Sequence, residues 1–420
     1  VATVERIAYT HPSPIVDAKL ETITWCEGVK GQTVYIPQIF WRDSTPWREA
    51  NMWVIWQITR GSKKVETAHS AIGHLRAFAA WLEENGMTWT HFPEREDQRC
   101  LTIYRGHLIR QRDTEQLMPS TVSARMTAVL RFYRWVMGNG LIVADQPLWK
   151  DKSVLVQLDQ KYGMRRSVLV TSSELSIPNS RANLLTLEGG VLPVSVEVSQ
   201  RIVSFASRHG SPEIALLLRT GFGTGMRVGT VLSLRERTVE RAAPHPSFRG
   251  WFTIAVGPTG AVPVDTKFGR SGEILVPGAA IEALRGYIRS PRRLLRMALA
   301  KAEDRDLIFL TKSGRPFGNN SSKSMAMNTQ ISRLRKKASD IGESCLVGFN
   351  FHRARATFGT ELAKAALKHG GITFAIWLVK SALMHKSEKD TIRYIKFVQS
   401  ISILEETSDQ FSHEFFGMLP

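Results

Sequence analysis

WFTIAVGPTGAVPVDTKFGRSGEILVP, residues 251–277, holds two short strand-like runs, WFTIAVG and GEILVP, with a turn at Phe268-Gly269-Arg270 before the second. Aromatic and β-branched residues crowd the runs, and glycine in the turn supplies the backbone freedom a reversal needs. On either side the apolar period changes from two to 3.6. VSVEVSQRIVSFASRHG at 194–210 reads as a helix before the strands, and beyond 277 the sequence is mostly helical to about Ser400. Helices around a small antiparallel β-sheet make residues 194–400 a mainly α domain of the α+β kind.

Upstream the chain divides further. Residues 1–60 mix runs such as TVYIPQIFW with Trp-rich polar sequence and read as an N-terminal arm region with no assigned fold. Residues 61–145 read as a helical domain, in which Ile72, Leu75, Phe78 and Leu82 share one face of a helix that ends at Asn85-Gly86. In a second helix Ser120, after Pro119, is the expected N-cap, Val122, Met126, Val129, Tyr133 and Val136 share a stripe, and Gly138 ends the run. Arg125, Arg131 and Arg134 lie off that stripe, on a face that is either solvated or turned to phosphate. Residues 146–193, with SIPNS and a Gly-Gly pair, read as a linker.

The 420 residues are 43% hydrophobic and 22% charged, an ordinary composition for a multi-domain globular chain and too apolar for wholesale disorder. No stretch approaches the roughly 18 apolar residues of a membrane span, and the first residues lack a signal-peptide pattern, so a cytoplasmic protein with no membrane partner is expected. Cys26, Cys100 and Cys345 are too scattered for a disulfide framework or a metal knuckle. Charge is more informative: 56 Lys and Arg against 38 Asp and Glu leave a formal +18. The partner this implies is a polyanion, nucleic acid first.

Four local settings carry chemistry. LLLRTGFGTGMRVGTVLSL, residues 216–234, sets Arg227 between apolar runs. Its GFGTG is neither a P-loop nor a dinucleotide turn, because no strand leads into correctly spaced glycines. DTKFGRSGEILVP, residues 265–277, puts Lys267 at the mouth of the turn, with Arg270 as a competing cation. FNFHRARATFGTELA, residues 349–363, spaces His352 and Arg355 so that they share one helical face, while Arg353 faces elsewhere. ALMHKSEKDTIRYIKF, residues 382–397, sets His385 nine residues before Tyr394. Taken singly these are a glycine loop, a solvated lysine, a surface pair and a core tyrosine; Tyr287, in LRGYIRS, has no comparable setting.

In the order Arg, Lys, His-x-x-Arg, His, Tyr, the set resembles the tyrosine recombinase (phage integrase) family over about Val194 to Ser400. The resemblance implies a site-specific DNA recombinase, or integrase, of a mobile genetic element. Its catalytic residues would be Arg227, Lys267, His352, Arg355, His385 and Tyr394. The two arginines would clamp phosphate oxygens, and Lys267 would protonate the departing 5′ oxygen. His352 would donate a hydrogen bond or manage the tyrosine proton, and Tyr394, beside His385, would be the nucleophile. The implied partners are double-stranded DNA, further copies of the chain in a tetramer on paired sites, and accessory recombination proteins. Neither cofactor nor metal is expected, since a phosphotyrosyl link conserves the bond energy and the cations supply the positive charge. Thr230, Met384 and Ala356 depart from the family's pattern and mark a divergent member. Rival readings are a type IB topoisomerase, which rejoins the strand it cut, and a DNA-binding protein without catalysis.

The tail, residues 401–420, has no Lys or Arg. It combines Glu405, Glu406, Asp409 and Glu414 with Ile401, Ile403, Leu404, Phe411, Phe415 and Phe416, so a protein surface suits it better than DNA. It either folds back on its own domain or, as the resemblance implies, is exchanged between subunits.

Overall fold

Ile72, Leu75, Phe78 and Leu82 are fully buried, as are Val122, Met126, Val129, Tyr133 and Val136, so both helical stripes face a core. The computed structural model describes every residue except 11, 18–20, 27–32, 61–64, 143–146, 160–164, 180–186, 188–189, 319–323 and 417–420. It falls into two units, Val1–Ala182 and Asn183–Pro420.

In the first unit β1 (Thr3–Thr10), β2 (Ser13–Asp17), β3 (Thr22–Cys26) and β4 (Thr33–Phe40) form two antiparallel pairs, β1 with β4 and β2 with β3. Helices α1 (Arg48–Thr59), α2 (Val65–Glu84), α3 (Cys100–Asp113) and α4 (Pro119–Gly138) follow, then an antiparallel ladder of β5 (Asp151–Asp159) and β6 (Arg165–Ser173). Two sequence boundaries change. From residues 1–60, Ala2, Ile39, Trp47, Trp53 and Val54 lie in the same core as α2 to α4, while Ile15, Val16, Ile23 and Trp25 of the β2–β3 pair are exposed. Trp47 meets the rings of Phe78, Trp89 and Phe132 there. Residues 146–193 are not a plain linker, because Leu148, Trp149, Leu175 and Ile177 are buried in that core. The two-stranded ladder escaped a periodicity search because consecutive apolar residues, as in SVLV, alternate on neither period. Ser120 is not the N-cap of α4. Met118 is the N-cap residue, and the helix starts with Pro119, where a proline loses no hydrogen bond.

The second unit begins with α5 (Val196–His209) and α6 (Pro212–Thr224), capped by the hydroxyls of Ser195 and Ser211. Short helices α7 (Val228–Leu232) and α8 (Glu236–Glu240) lead to β7 (Ala243–Pro244), β8 (Trp251–Val256) and β9 (Gly272–Pro277), a three-stranded antiparallel sheet in that order. β8 and β9 pair from Trp251 opposite Pro277 to Val256 opposite Gly272, as the opening sequence stretch predicts. Then come α9 (Gly278–Ile288), α10 (Pro291–Ala298), α11 (Met325–Asp340), α12 (Phe351–Ala382) and α13 (Glu388–Phe416). The described part of the tail continues α13 to Phe416, so no boundary falls at 400. Among the described residues no helix is long and apolar enough to cross a membrane.

Candidate active site

Arg227 stands where α6 must stop. Gly225 ends α6 in the left-handed region, at φ +62°. A Cβ there would lie 2.5 Å from Phe358 and 2.7 Å from Leu383, so position 225 admits only glycine on both conformational and steric grounds. Met226 is buried, and Arg227 follows, half-buried, as the N-cap residue of α7.

Arg355 ties this turn to the far end of its own helix. Buried on α12, its guanidinium donates from Nη1 to the Gly225 carbonyl at 2.9 Å and from Nη2 to the Leu383 carbonyl at 2.8 Å. Arg353, the alternative arginine, donates instead to the carbonyls of Leu192, Pro193 and Gly348 and so anchors the start of α12. His352 lies half-buried in the first turn of α12, one turn before Arg355.

Lys267 lies exposed in the β8–β9 connection, where Phe268 and Gly269 both have positive φ and the Thr266 hydroxyl donates to the Arg270 carbonyl at 2.6 Å. One cavity is lined by Arg227, Thr230, Lys267, Arg270, Arg355 and Met384 together with their apolar neighbours. Residues from α6–α7, the strand connection and α12 thus converge on one concave, strongly cationic surface. His352, His385 and Tyr394 are not among its lining residues.

Next in the chain after Leu383 and Met384, His385 is buried, with Nδ1 2.9 Å from the Thr391 hydroxyl and its ring centre 5.6 Å from that of Tyr394. The Tyr394 ring is only 1% exposed. It rests on Gly359, where a Cβ would lie 2.5 Å from the ring. The other candidate phenol, Tyr287, donates to Glu213 at 2.8 Å; burial, then the Glu213 charge, pushes its pKa far up. It is a structural group. Sequence reading did not find Thr391, the partner of His385, because a hydroxyl six residues downstream of a histidine carries no signal until a helix folds it back.

No family profile matches the sequence, and no curated protein matches it. Among solved structures the chain is similar to the Tn1549 transposon integrase in complex with circular intermediate DNA, at 15% identity and TM-score 0.47, over 82% of this chain and 94% of that one. It is similar to a lambda integrase dimer bound to a core site, at 12% identity and TM-score 0.48, over 83% and 94%. It is also similar to XerA recombinase, at 14% identity and TM-score 0.33, over 85% and 98%.

Proposed function

We propose that the chain is a tyrosine recombinase that cuts and rejoins double-stranded DNA through a 3′-phosphotyrosyl intermediate. The observation that carries the reading is the convergence of Arg227, Lys267 and Arg355 on one cavity, whose lining residues Leu383 and Met384 lead directly in the chain to His385, the ring neighbour of Tyr394. A phosphodiester seated there would meet cations at its non-bridging oxygens, where charge builds up in the transition state. Tyr394 Oη attacks phosphorus, the bond to the 5′ oxygen breaks, and Lys267 delivers a proton to that oxygen. His352 or His385 takes the phenolic proton. A 5′ hydroxyl of the partner duplex then attacks the phosphotyrosyl link and releases the tyrosine. One bond is exchanged for another of the same kind in each half, so no nucleotide is consumed.

Tyr394 is buried against Gly359, so attack requires the first turns of α13 to move and bring the phenol to the phosphate. Two duplexes, each cut on both strands, call for four copies of the chain. The +18 charge supplies phosphate contacts along the duplex. The test is to incubate the protein with a library of nicked duplexes and separate protein–DNA complexes under denaturing conditions. A covalent complex that protease removes is expected, with strand exchange between duplexes rather than mere relaxation. Complete absence of a covalent complex across the library contradicts the proposal.

A further inference from the structure

Met384 occupies a position built for glycine. Helix α12 ends with two backbone bonds, from Met384 N to Ser381 O at 3.1 Å and from His385 N to Lys380 O at 3.0 Å. This is the double-bonded helix terminus whose turning residue takes a left-handed conformation, and Met384 takes it at φ +50°. That conformation crowds the Cβ of any L-residue, and a strained residue persists only where its surroundings hold it. Met384 packs against the core of its unit, and two further contacts come to it from one place. Arg270 Nη1 donates to the Met384 carbonyl at 3.3 Å. The Met384 side chain reaches over Gly272, where a Cβ would lie 3.0 Å from the methionine Cε. Gly272 opens β9, and Arg270 is three residues beyond Lys267 in a turn that Thr266 closes.

We infer that Met384 and Arg270 are positioning residues that clasp the Lys267 turn to the turn that aims His385. The clasp is a side-chain device: glycine at 384 would suit the backbone better but would leave Gly272 uncovered. It fixes the lysine relative to Arg227 and Arg355, with which Arg270 and Met384 share the cavity wall. The inference rests on the proposed function for what Lys267 does, though not for the clasp itself.

The experiment compares wild type, Met384→Gly, Met384→Leu, Arg270→Ala and the double variant Met384→Gly with Arg270→Ala. Single-turnover cleavage is measured on duplexes with an ordinary phosphodiester or a 5′-bridging phosphorothiolate, whose sulfur leaves without a proton. Amide hydrogen exchange is followed over residues 265–272 of the free protein. Each single variant should slow cleavage of the ordinary duplex by roughly tenfold or more, the scale of a reacting group held slightly out of place. The sulfur substrate should restore each to within about twofold of wild type, because the missing proton is no longer needed. The double variant should lose little more than either single one, since both break the same clasp. Met384→Leu, which keeps bulk over Gly272, should retain more of the rate than Met384→Gly, and exchange at 265–272 should rise in Met384→Gly and Arg270→Ala. Equal losses on both substrates, or unchanged exchange in that segment, overturn the clasp. If wild type cleaves neither duplex, the recombinase reading falls, and the exchange measurement still decides the clasp.

Discussion

Arg227 and Arg355 share a cavity but stand in it on different terms. Both guanidinium ends of Arg355 are bonded to buried carbonyls, and Arg227, half-buried, is the N-cap residue of α7. Arg227→Ala and Arg355→Ala should each lower cleavage by roughly 10²-fold or more while DNA binding stays close to wild type. Arg355→Ala should also lower the melting temperature, because it strands two carbonyls at about 1–3 kcal/mol each. Calorimetry beside the cleavage assay reads the structural part of Arg355, and parallel losses of binding and cleavage would make both arginines merely electrostatic. At this scale the sequence was legible as a set and not residue by residue: Arg227, Lys267 and Arg355, each ordinary in its own setting, line one cavity. The clasp was not legible: Met384 stood out only as a departure from glycine, and its φ and its reach to Gly272 exist only after β9 is laid beside the end of α12.

Helix α6 has to hold Gly225 and Arg227 in place, and its own anchor is a buried carboxylate. Glu213 accepts hydrogen bonds from Tyr287 at 2.8 Å and from Arg292 Nε at 2.7 Å, and lies 3.0 Å from Arg296 Nη1, so it binds α6 to α9 and α10. Glu213→Gln should destabilise the protein by about 3–5 kcal/mol, the usual result of removing one partner from a buried ion pair. Burial pushes the Glu213 carboxyl upward, but the hydrogen bonds from Arg292 and Tyr287 and the charge of Arg296 outweigh it and hold its pKa below the ordinary 4.5. A carboxyl lowered in the folded state stabilises above its unfolded value and loses that contribution as pH falls through the folded one. The stability gap between wild type and Glu213→Gln should therefore be flat above 4.5 and shrink below it; a gap that grows in acid would contradict the assignment. Elements with a clean period were legible, namely α2, α4, β8 and β9. The β5–β6 ladder was not, because its apolar residues follow one another without alternation.

Over the whole molecule, an excess of basic charge is joined to a C-terminal stretch with none. The described part of that stretch continues α13, with Ile403, Leu404 and Phe411 more than half exposed. Apolar side chains on an acidic helix seek protein rather than phosphate, so deleting residues 401–420 should spare binding to a single DNA site and abolish cooperative assembly on paired sites. Gel-shift titrations with one-site and two-site duplexes would show it, and undiminished cooperativity would return the tail to its own domain. In the proposed reaction Tyr394 makes the covalent bond. The most direct measurement is denaturing electrophoresis of wild type and Tyr394→Phe on a nicked duplex, followed by mapping of any peptide that retains a nucleotide. The expected result is an adduct on Tyr394 in wild type and no adduct in Tyr394→Phe, which binds the duplex as tightly. A covalent complex that survives in Tyr394→Phe, or a wild-type adduct mapped to another residue, would contradict the claim.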